Sequence, residues 1–287
     1  MSQSASISVI IPAYNSKHTI ERAIESVLAQ TLQPSEIIVI DDGSSDNTVE
    51  IVKEISKNLK PEFLKLIELE RNNGPAYARN AGWQRARGEF LAFLDADDSW
   101  HRKKLEIQIG YMLGDKEIKL SGHQCLRLNE KDDDLSLPKH WKTKAIYPWH
   151  VLMIGGFILT PSVVIRSDIT HRFNPAKRYG QDRLLWLEML LSGCKGVKLQ
   201  LPLAYTYKQP YGQAGQSENL WNLEKGELEI YTILRQDKKL TKFCEVFLKA
   251  YSLMKFLYRL LKCRRCAPRS GCRQTGHRRR PGRWPRR

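Results

Sequence analysis

The sequence predicts an α/β fold in which a mostly parallel sheet is flanked by helices. Short β-rich runs alternate with helical patterns over residues 7–94, as in sheets built from βα units. The 287 residues are 41% hydrophobic and 27% charged, which is ordinary globular usage and excludes collagen-like, coiled-coil and wholly disordered chains. This length allows one large domain or two small ones.

Four strands are predicted in the first third of the chain, and helical patterns separate them. The first helix has apolar residues at helical spacing from Ile20 to Leu28, and Asn15 or Ser16 is expected to cap it. Ser45 is expected to cap the second helix, and a third spans residues 75–87 with its proline in the first turn. The predicted strands are Ile7–Ile11, Glu36–Ile40, Leu64–Leu69 and Phe90–Leu94.

The predicted strands are almost wholly apolar, so we expect them to be parallel and buried on both faces. Their carboxyl ends would then open into one crevice, where α/β sheets bind ligands. Polar segments follow three of them, namely residues 12–15, 41–46 and 95–98. The second half of the chain is less regular, with a buried strand predicted at residues 156–165, a helix at 184–191 and a strand at 199–207.

Three carboxylates, Asp95, Asp97 and Asp98, directly follow a buried strand. Like charges repel and desolvation is costly, so a divalent cation such as Mg²⁺ or Mn²⁺ would relieve the cluster. Such ions typically take one or two protein carboxylates and phosphate oxygens. The alternative is a solvated loop in which Asp97 or Asp98 caps a following helix.

Asp41 is the first residue beyond a buried strand and is predicted to face the same crevice. Its carboxylate can accept hydrogen bonds from a planar ring with an N–H edge, such as uracil. Tyr14 can supply a wall for that ring, although an aromatic residue there is about as often simply packed. Ser45 and Asp46 are more simply interpreted as a turn and a helix cap.

Four segments in this order resemble the family 2 glycosyltransferases: residues 7–15, 38–46, 73–82 and 93–98. The resemblance implies the GT-A fold and an inverting transferase of the type that builds bacterial polysaccharide or lipopolysaccharide. It also implies a nucleotide-sugar donor, often UDP-linked, a Mg²⁺ or Mn²⁺ cofactor, and a saccharide or lipid-linked saccharide acceptor. It extends over about residues 5 to 215.

The resemblance also implies roles for individual residues. Asp41 would bind the base, Pro12 and Tyr14 would line its pocket, Asp95 would approach the ribose, and Asp97 would hold the metal against the diphosphate. Asp98 either assists or only caps. Arg79 and Asn80 match the family motif and either touch the ligand or buttress the crevice.

The family places its catalytic base in the second half of the chain, in a Glu-Asp pair before a Leu-Trp helix. Residues 179–186 match, with Gln181 in place of the usual Glu and with Asp182 retained. Asp182 is therefore the predicted base, which takes the proton from the acceptor hydroxyl. A helix-capping aspartate is the alternative. Residues 155–163 resemble the acceptor-side strand of the family.

Four regions are predicted along the chain. Residues 1–115 form the nucleotide-sugar-binding half, and residues 116–215 form the acceptor-binding half of the same domain. Residues 216–262 form a C-terminal helical region, and residues 263–287 form a basic disordered tail. The polar N-terminus lacks a secretory pattern and no apolar run is long enough to span a bilayer, which predicts a cytoplasmic protein.

The last helical stretch, from about Phe243 to Lys262, has an apolar face and a basic face. Its basic face, which includes Lys249, Lys255 and Arg259, suits peripheral contact with an anionic membrane. The alternative is a helix packed on the catalytic domain. Lipid-linked acceptors would make surface docking useful.

The net charge of +16 is concentrated at the C-terminus, because eleven Lys or Arg and no acidic residue lie in 262–287. A non-catalytic nucleotide- or nucleic-acid-binding protein that uses this tail is one alternative function. Cys263, Cys266, Cys272 and His277 have irregular spacing for zinc. A sugar-phosphate nucleotidyltransferase is a second alternative, but residues 12–15 do not resemble its glycine-rich loop. Six cysteines are too few for a disulfide scaffold.

Overall fold

The computed structural model describes residues 5–128, 136–154, 157–207 and 219–266. The strands in these ranges are β1 (Ile7–Ala13), β2 (Glu36–Asp41), β3 (Leu64–Glu68), β4 (Phe90–Phe93), β5 (Ser99–Trp100), β6 (Ile118–Arg127), β7 (Thr143–Ile146), β8 (Val164–Arg166) and β9 (Lys195–Thr206). The helices are α1 (Ile20–Leu28), α2 (Thr48–Lys57), α3 (Pro75–Arg85), α4 (Lys104–Gly114), α5 (Pro148–Met153), α6 (Gln181–Leu191), α7 (Leu220–Gln236) and α8 (Lys242–Cys266).

The strands join into one sheet in the order β3-β2-β1-β4-β8-β6-β9-β5, with β7 beside β9. The first four strands in that order are parallel, as predicted from their apolar sequences. β8 is antiparallel to β4 and β6, whereas β6 and β9 are parallel. The predicted α/β fold is confirmed, and the sheet continues from the first half of the chain into the second.

Both faces of the sheet are buried. Alternate side chains of β1 serve the two faces: Ile10 packs in the cluster that includes α3, α6 and α7, while Val9 and Ile11 pack with α1, α2 and α4. A Cβ on Gly82 of α3 would lie 2.5 Å from Ile40 Cδ1, so only glycine allows α3 to approach this closely. The close approach holds α3 against the carboxyl ends of β1 and β2.

Several predicted local features differ in the structure. Ser45 does not cap α2. Instead, the N–H of Thr48, the first residue of α2, donates a hydrogen bond to Asp46 Oδ1. The side chains of Asn15 and Ser16 do not cap α1, which begins after Thr19. The strand predicted at residues 156–165 is a 3₁₀ turn over Thr160–Ser162 followed by the short strand β8.

Helix α4 and the long strand β6 have no counterpart among the elements predicted from the sequence. β6 is irregular, with register shifts along its pairing with β9, and partly exposed beyond His123. This breaks the alternation that identifies a strand from sequence.

α7 and α8 confirm the two predicted C-terminal helices, and α8 extends to Cys266. The side chains from residue 262 onward, and with them the predicted tail and the zinc interpretation, lie outside the described part of the chain. No helix within the described ranges combines the length and apolar character needed to cross a bilayer.

Candidate active site

A crevice of about 790 Å³ opens where β1, β2 and β4 end. It lies at the carboxyl edge of the parallel strands, which is where the fold predicts a ligand site. Loops after the strands form one wall and the segment before α6 forms the other. The lining includes Pro12, Tyr14, Asn15, Asp42, Arg79, Asp95, Asp97, Arg178, Tyr179 and Gln181.

The loop after β1 supplies Pro12 and Tyr14 to the crevice. The Tyr14 side chain is 50% exposed, so it is available to stack on a ligand rather than packed in the core. Asn15 adopts a left-handed conformation with φ of 48°, and its Oδ1 accepts a 2.9 Å hydrogen bond from the Ser45 N–H. The loops after β1 and β2 are thereby tied together at the mouth of the crevice.

The two aspartates after β2 have different surroundings. Asp42 lines the crevice, and its carboxylate accepts hydrogen bonds from the N–H groups of Asn73 and Gly74, both at 2.8 Å. Burial raises the pKa of Asp42, since it outweighs these hydrogen bonds. The Asp42 carboxylate therefore holds the turn that begins α3.

Asp41 is 3% exposed and lies at the end of β2. Its Oδ2 accepts a 2.9 Å hydrogen bond from the Ser44 N–H. Its buried Oδ1 has no hydrogen-bond partner among the described residues. Leaving a buried acceptor unpaired costs about 1–3 kcal/mol, so this atom favours binding of a ligand N–H donor.

Asp95 and Asp97 lie together in the loop after β4. Arg79 of α3 donates a 2.6 Å hydrogen bond to Asp95 Oδ1. Burial and the nearby charge of Asp97 raise the pKa of Asp95, although the Arg79 guanidinium acts in the opposite direction. The Arg22 guanidinium donates to the Asp97 carbonyl oxygen at 2.9 Å. α1 and α3 therefore hold this acidic loop from two sides.

The carboxylates of this loop fit a divalent cation whose remaining ligands are phosphate oxygens. Burial and, to a smaller extent, the charge of Asp97 raise the pKa of Asp95, so a cation between these two carboxylates would stabilise their charged forms. Within the described ranges, no group of three or more His, Cys, Asp or Glu side chains is arranged to bind an ion alone. Mg²⁺-type sites commonly use one or two carboxylates with phosphate oxygens completing the shell.

Asp97 and Asp98 do not cap a helix, contrary to the alternative interpretation of this segment. The short strand β5 follows them, and α4 begins only at Lys104. Asp98 is 8% exposed, and its N–H donates to the Asp95 carbonyl oxygen at 3.0 Å. Its backbone therefore helps to close the acidic turn.

Asp182 lies in the first turn of α6, next to Gln181, which lines the crevice. Its Oδ2 accepts a 2.8 Å hydrogen bond from Thr160 Oγ1, and its Oδ1 accepts one from the Arg183 N–H. The negative charge of Asp182 contributes to the raised pKa of Asp95. The fold therefore brings Asp182 close to the acidic loop, although the two are far apart in sequence.

The C-terminal helices pack behind this part of the crevice. Arg183 forms an ion pair with Glu227 of α7 at 2.8 Å. A Cβ on Gly226 would lie 2.6 Å from Tyr179 Cβ, so α7 touches the segment that leads into α6. The helical region thus supports the turn that carries Asp182.

The structure separates the two motif residues whose roles the sequence left open. Arg79 lines the crevice and contacts Asp95, whereas Asn80 exchanges two hydrogen bonds with the backbone of Phe173 and so buttresses the fold. Sequence analysis missed Arg178 as a crevice residue and Thr160 as a partner of Asp182. The position of Arg178, four residues before Asp182, was the available signal for the first.

Comparisons with known proteins agree with this geometry. The profile described as Glycosyl transferase family 2 matches residues 8–122. The chain is 48% identical over 185 residues to WfgD of Escherichia coli, described as a UDP-Glc:α-D-GlcNAc-diphosphoundecaprenol β-1,3-glucosyltransferase. That alignment covers 64% of this chain and 69% of WfgD.

Two solved structures have the same fold. TarS residues 1–349 of S. aureus in complex with UDP-GlcNAc superposes with a TM-score of 0.64 at 23% identity, covering 90% of this chain and 73% of that one. The mannosyltransferase PcManGT of Pyrobaculum calidifontis, in complex with GDP-Man and Mn²⁺, gives a TM-score of 0.62 at 16% identity, covering 92% and 76%. The similarity confirms the GT-A fold. This chain is a glycosyltransferase and belongs to glycosyltransferase family 2.

Proposed function

We propose that this enzyme transfers a sugar from a UDP-linked donor, with inversion, to a hydroxyl of a saccharide or lipid-linked saccharide. The observation that carries the proposal is one crevice lined by Pro12, Tyr14, Asp95 and Asp97. Asp41 lies at the end of β2, and Asp182 is the neighbour of the lining residue Gln181. Asp41 would recognise the base, the Asp95–Asp97 pair would serve the diphosphate, and Asp182 would act on the acceptor hydroxyl.

The nucleoside end of the donor is assigned to the loops after β1 and β2. The unpaired Oδ1 of Asp41 accepts an N–H of the base, and Pro12 and Tyr14 line the base pocket. Asp95 approaches the ribose. Support for this assignment comes from the exposed ring of Tyr14 and from the missing partner of Asp41 Oδ1 among the described residues.

The diphosphate is assigned to the acidic loop, where Asp97 would hold a divalent cation, Mg²⁺ or Mn²⁺, with Asp95 beside it. Such a cation, when bound, neutralises the charge that grows on the leaving diphosphate. Arg79 keeps Asp95 oriented through its 2.6 Å hydrogen bond.

Asp182 is assigned as the general base. A carboxylate oxygen takes the proton from the acceptor hydroxyl while that oxygen forms a bond to the anomeric carbon. The bond from the anomeric carbon to the diphosphate oxygen breaks, and its electron pair leaves with the nucleotide. Attack from the face opposite the leaving group inverts the anomeric configuration.

The acceptor is assigned to the second half of the sheet. We propose that residues 1–115 hold the donor, residues 116–215 hold the acceptor, and residues 216–262 support both. WfgD is named for a lipid diphosphate-linked acceptor, which supports an acceptor of that class here. Such an acceptor would place the enzyme peripherally at the cytoplasmic face of a membrane, in polysaccharide or lipopolysaccharide synthesis.

The test is incubation of the protein with labelled UDP-, GDP- and dTDP-sugars, with Mn²⁺ or Mg²⁺ and with chelator. We expect donor hydrolysis or transfer from a UDP-sugar that the chelator abolishes. Transfer to a lipid diphosphate-linked saccharide should yield a product of inverted configuration, and Asp182→Asn should lower kcat by at least about 10²-fold. Equal use of all three nucleotides, or full activity of Asp182→Asn, would contradict the assignment.

A further inference from the structure

Three basic side chains in the middle of α8 form ion pairs within the protein. Lys255 pairs with Glu227 of α7 at 3.2 Å, and Arg259 pairs with Glu224 at 2.5 Å. Lys249 pairs with Glu245 of its own helix at 2.6 Å. These ion pairs argue against contact between this basic face and a membrane, because its charges are already paired within the protein.

The apolar side chains of α8 are the exposed ones. They fall in two groups at three- and four-residue spacing, from Phe243 to Phe247 and from Met254 to Leu261, with the exposed Ala250 between them. Together they span about 27 Å along a helix. Their exposure ranges from 53% to 81%, which is far above that of a packed helix face. We call this set the apolar stripe; it comprises Phe243, Val246, Phe247, Met254, Leu257, Tyr258 and Leu261. Contiguous exposed apolar surface of this kind marks an interaction site.

The charges around the stripe favour a lipid surface over a second copy of this chain. Glu245, the single acidic residue in the sequence of α8, is buried and paired. Lys238 and Lys242 are exposed near the start of the helix, and eleven Lys or Arg occupy residues 262–287. Two such helices would repel each other, whereas anionic headgroups would attract both ends of the stripe.

The face of α8 opposite the stripe contacts the second half of the chain. Lys255 Nζ also donates to the Met153 carbonyl oxygen at the end of α5, at 3.2 Å. The neighbouring residue, Ile154, is 47% exposed. The carbonyl oxygen of Leu152 accepts from Arg183, which follows Asp182. Docking through α8 would therefore hold the surface on the side of the protein where α5 and α8 meet, and α5 in turn contacts the residue that follows the proposed base.

We propose that the apolar stripe inserts into the headgroup–acyl boundary of an anionic membrane, with α8 lying in the plane of the surface. Burial of the apolar side chains provides most of the binding free energy, and the flanking basic residues orient the helix. The inference extends the proposed function by naming the surface that brings the crevice to a lipid-anchored acceptor.

The test is flotation of the full chain with vesicles of phosphatidylethanolamine and phosphatidylglycerol. We expect wild-type protein to float with the vesicles and Met254→Glu/Leu257→Glu to lower binding at least about tenfold, since two apolar side chains leave the bilayer. The control Asn58→Glu/Gln84→Glu adds the same charge at two exposed positions and should bind like wild type. Binding should persist at high salt, because apolar burial is not screened.

Circular dichroism and the thermal unfolding midpoint identify variants that fail to fold. The double variant Phe243→Ser/Phe247→Ser is a second test of the apolar stripe that introduces no charge. The proposal is overturned if wild type does not float, or if folded variants of both pairs still float. It is also overturned if light scattering shows a dimer that these pairs dissociate while the wild-type protein does not bind vesicles. Vesicle binding needs neither donor nor turnover, so its result is independent of the proposed reaction.

Discussion

Thr160 Oγ1 donates a 2.8 Å hydrogen bond to Asp182 Oδ2, so a 3₁₀ turn from the acceptor side of the sheet orients the proposed base. Thr160→Val keeps the shape and removes the donor. A hydrogen bond to a charged group contributes about 1.5–3 kcal/mol, so we expect kcat to fall about 10- to 100-fold. The KM for the donor should stay unchanged, and Thr160→Ser should retain most of the activity. Equal loss in both variants would contradict the positioning role.

Asp97→Asn should uncouple nucleotide binding from the metal. Removing one carboxylate from a pair weakens cation binding, so we expect the Mn²⁺-dependent gain in UDP affinity to fall about 10- to 100-fold. Isothermal titration calorimetry of UDP binding, with and without Mn²⁺, measures this gain in affinity. Asp168→Asn, which changes an exposed carboxylate paired with Lys119, is the matched control. An unchanged metal effect in Asp97→Asn would remove the metal assignment.

Asp41→Ala should weaken uridine nucleotides specifically. The Oδ1 atom of Asp41 is buried and unpaired among the described residues, so a hydrogen bond from the base to this carboxylate is worth about 1.5–3 kcal/mol. We expect the Kd of UDP to rise about 10- to 100-fold. Comparing UDP with inorganic pyrophosphate, both in the presence of Mn²⁺, separates base recognition from phosphate binding. Equal weakening of both ligands would argue against the assignment.

Glu227→Gln should make the protein less stable near neutral pH. Burial alone would raise the pKa of Glu227, but the charges of Arg183 and Lys255 and their hydrogen bonds lower it to about 2 from an ordinary value of 4.5. A carboxyl with a lowered pKa stabilises the fold above its ordinary pKa, and that contribution disappears as the pH falls toward 2. It corresponds to roughly 3 kcal/mol.

Urea unfolding of wild type and Glu227→Gln between pH 3 and pH 7 measures this difference. The free energies of unfolding should differ most at pH 7 and converge as the pH falls. A difference that is constant with pH would show that the ion pair does not account for the stability of this region.

Gly226→Ala should disturb the segment before α6. The added Cβ would lie 2.6 Å from Tyr179 Cβ and 2.9 Å from the Tyr179 carbonyl oxygen, so α7 or this backbone must move. We expect a loss of about 1–3 kcal/mol in unfolding free energy together with lower kcat. Gly110→Ala, where a Cβ meets nothing within 4 Å, is the control and should stabilise α4. Equal behaviour of the two variants would contradict the contact.

The apolar strands, their parallel order and the polar segments at their ends could be predicted from sequence, because residues 7–94 carry local periodicity that tertiary packing reinforces. The same holds for the positions of Asp41, the last residue of β2, and of Asp95 and Asp97 in the loop after β4. β6 and α4 could not be predicted, since a strand with register shifts and mixed exposure has no clean period.

Only the tertiary structure decided which groups meet and which way α8 faces. The hydrogen bond from Thr160 to Asp182 and the Arg183–Glu227 pair join segments distant in sequence, and no local pattern specifies such partners. The amphipathic pattern of α8 defined an apolar face and a basic face, but it did not determine which of them packs against the protein. The acidic residues of α7 decided it, because Glu224 and Glu227 pair with the basic face and leave the apolar stripe exposed.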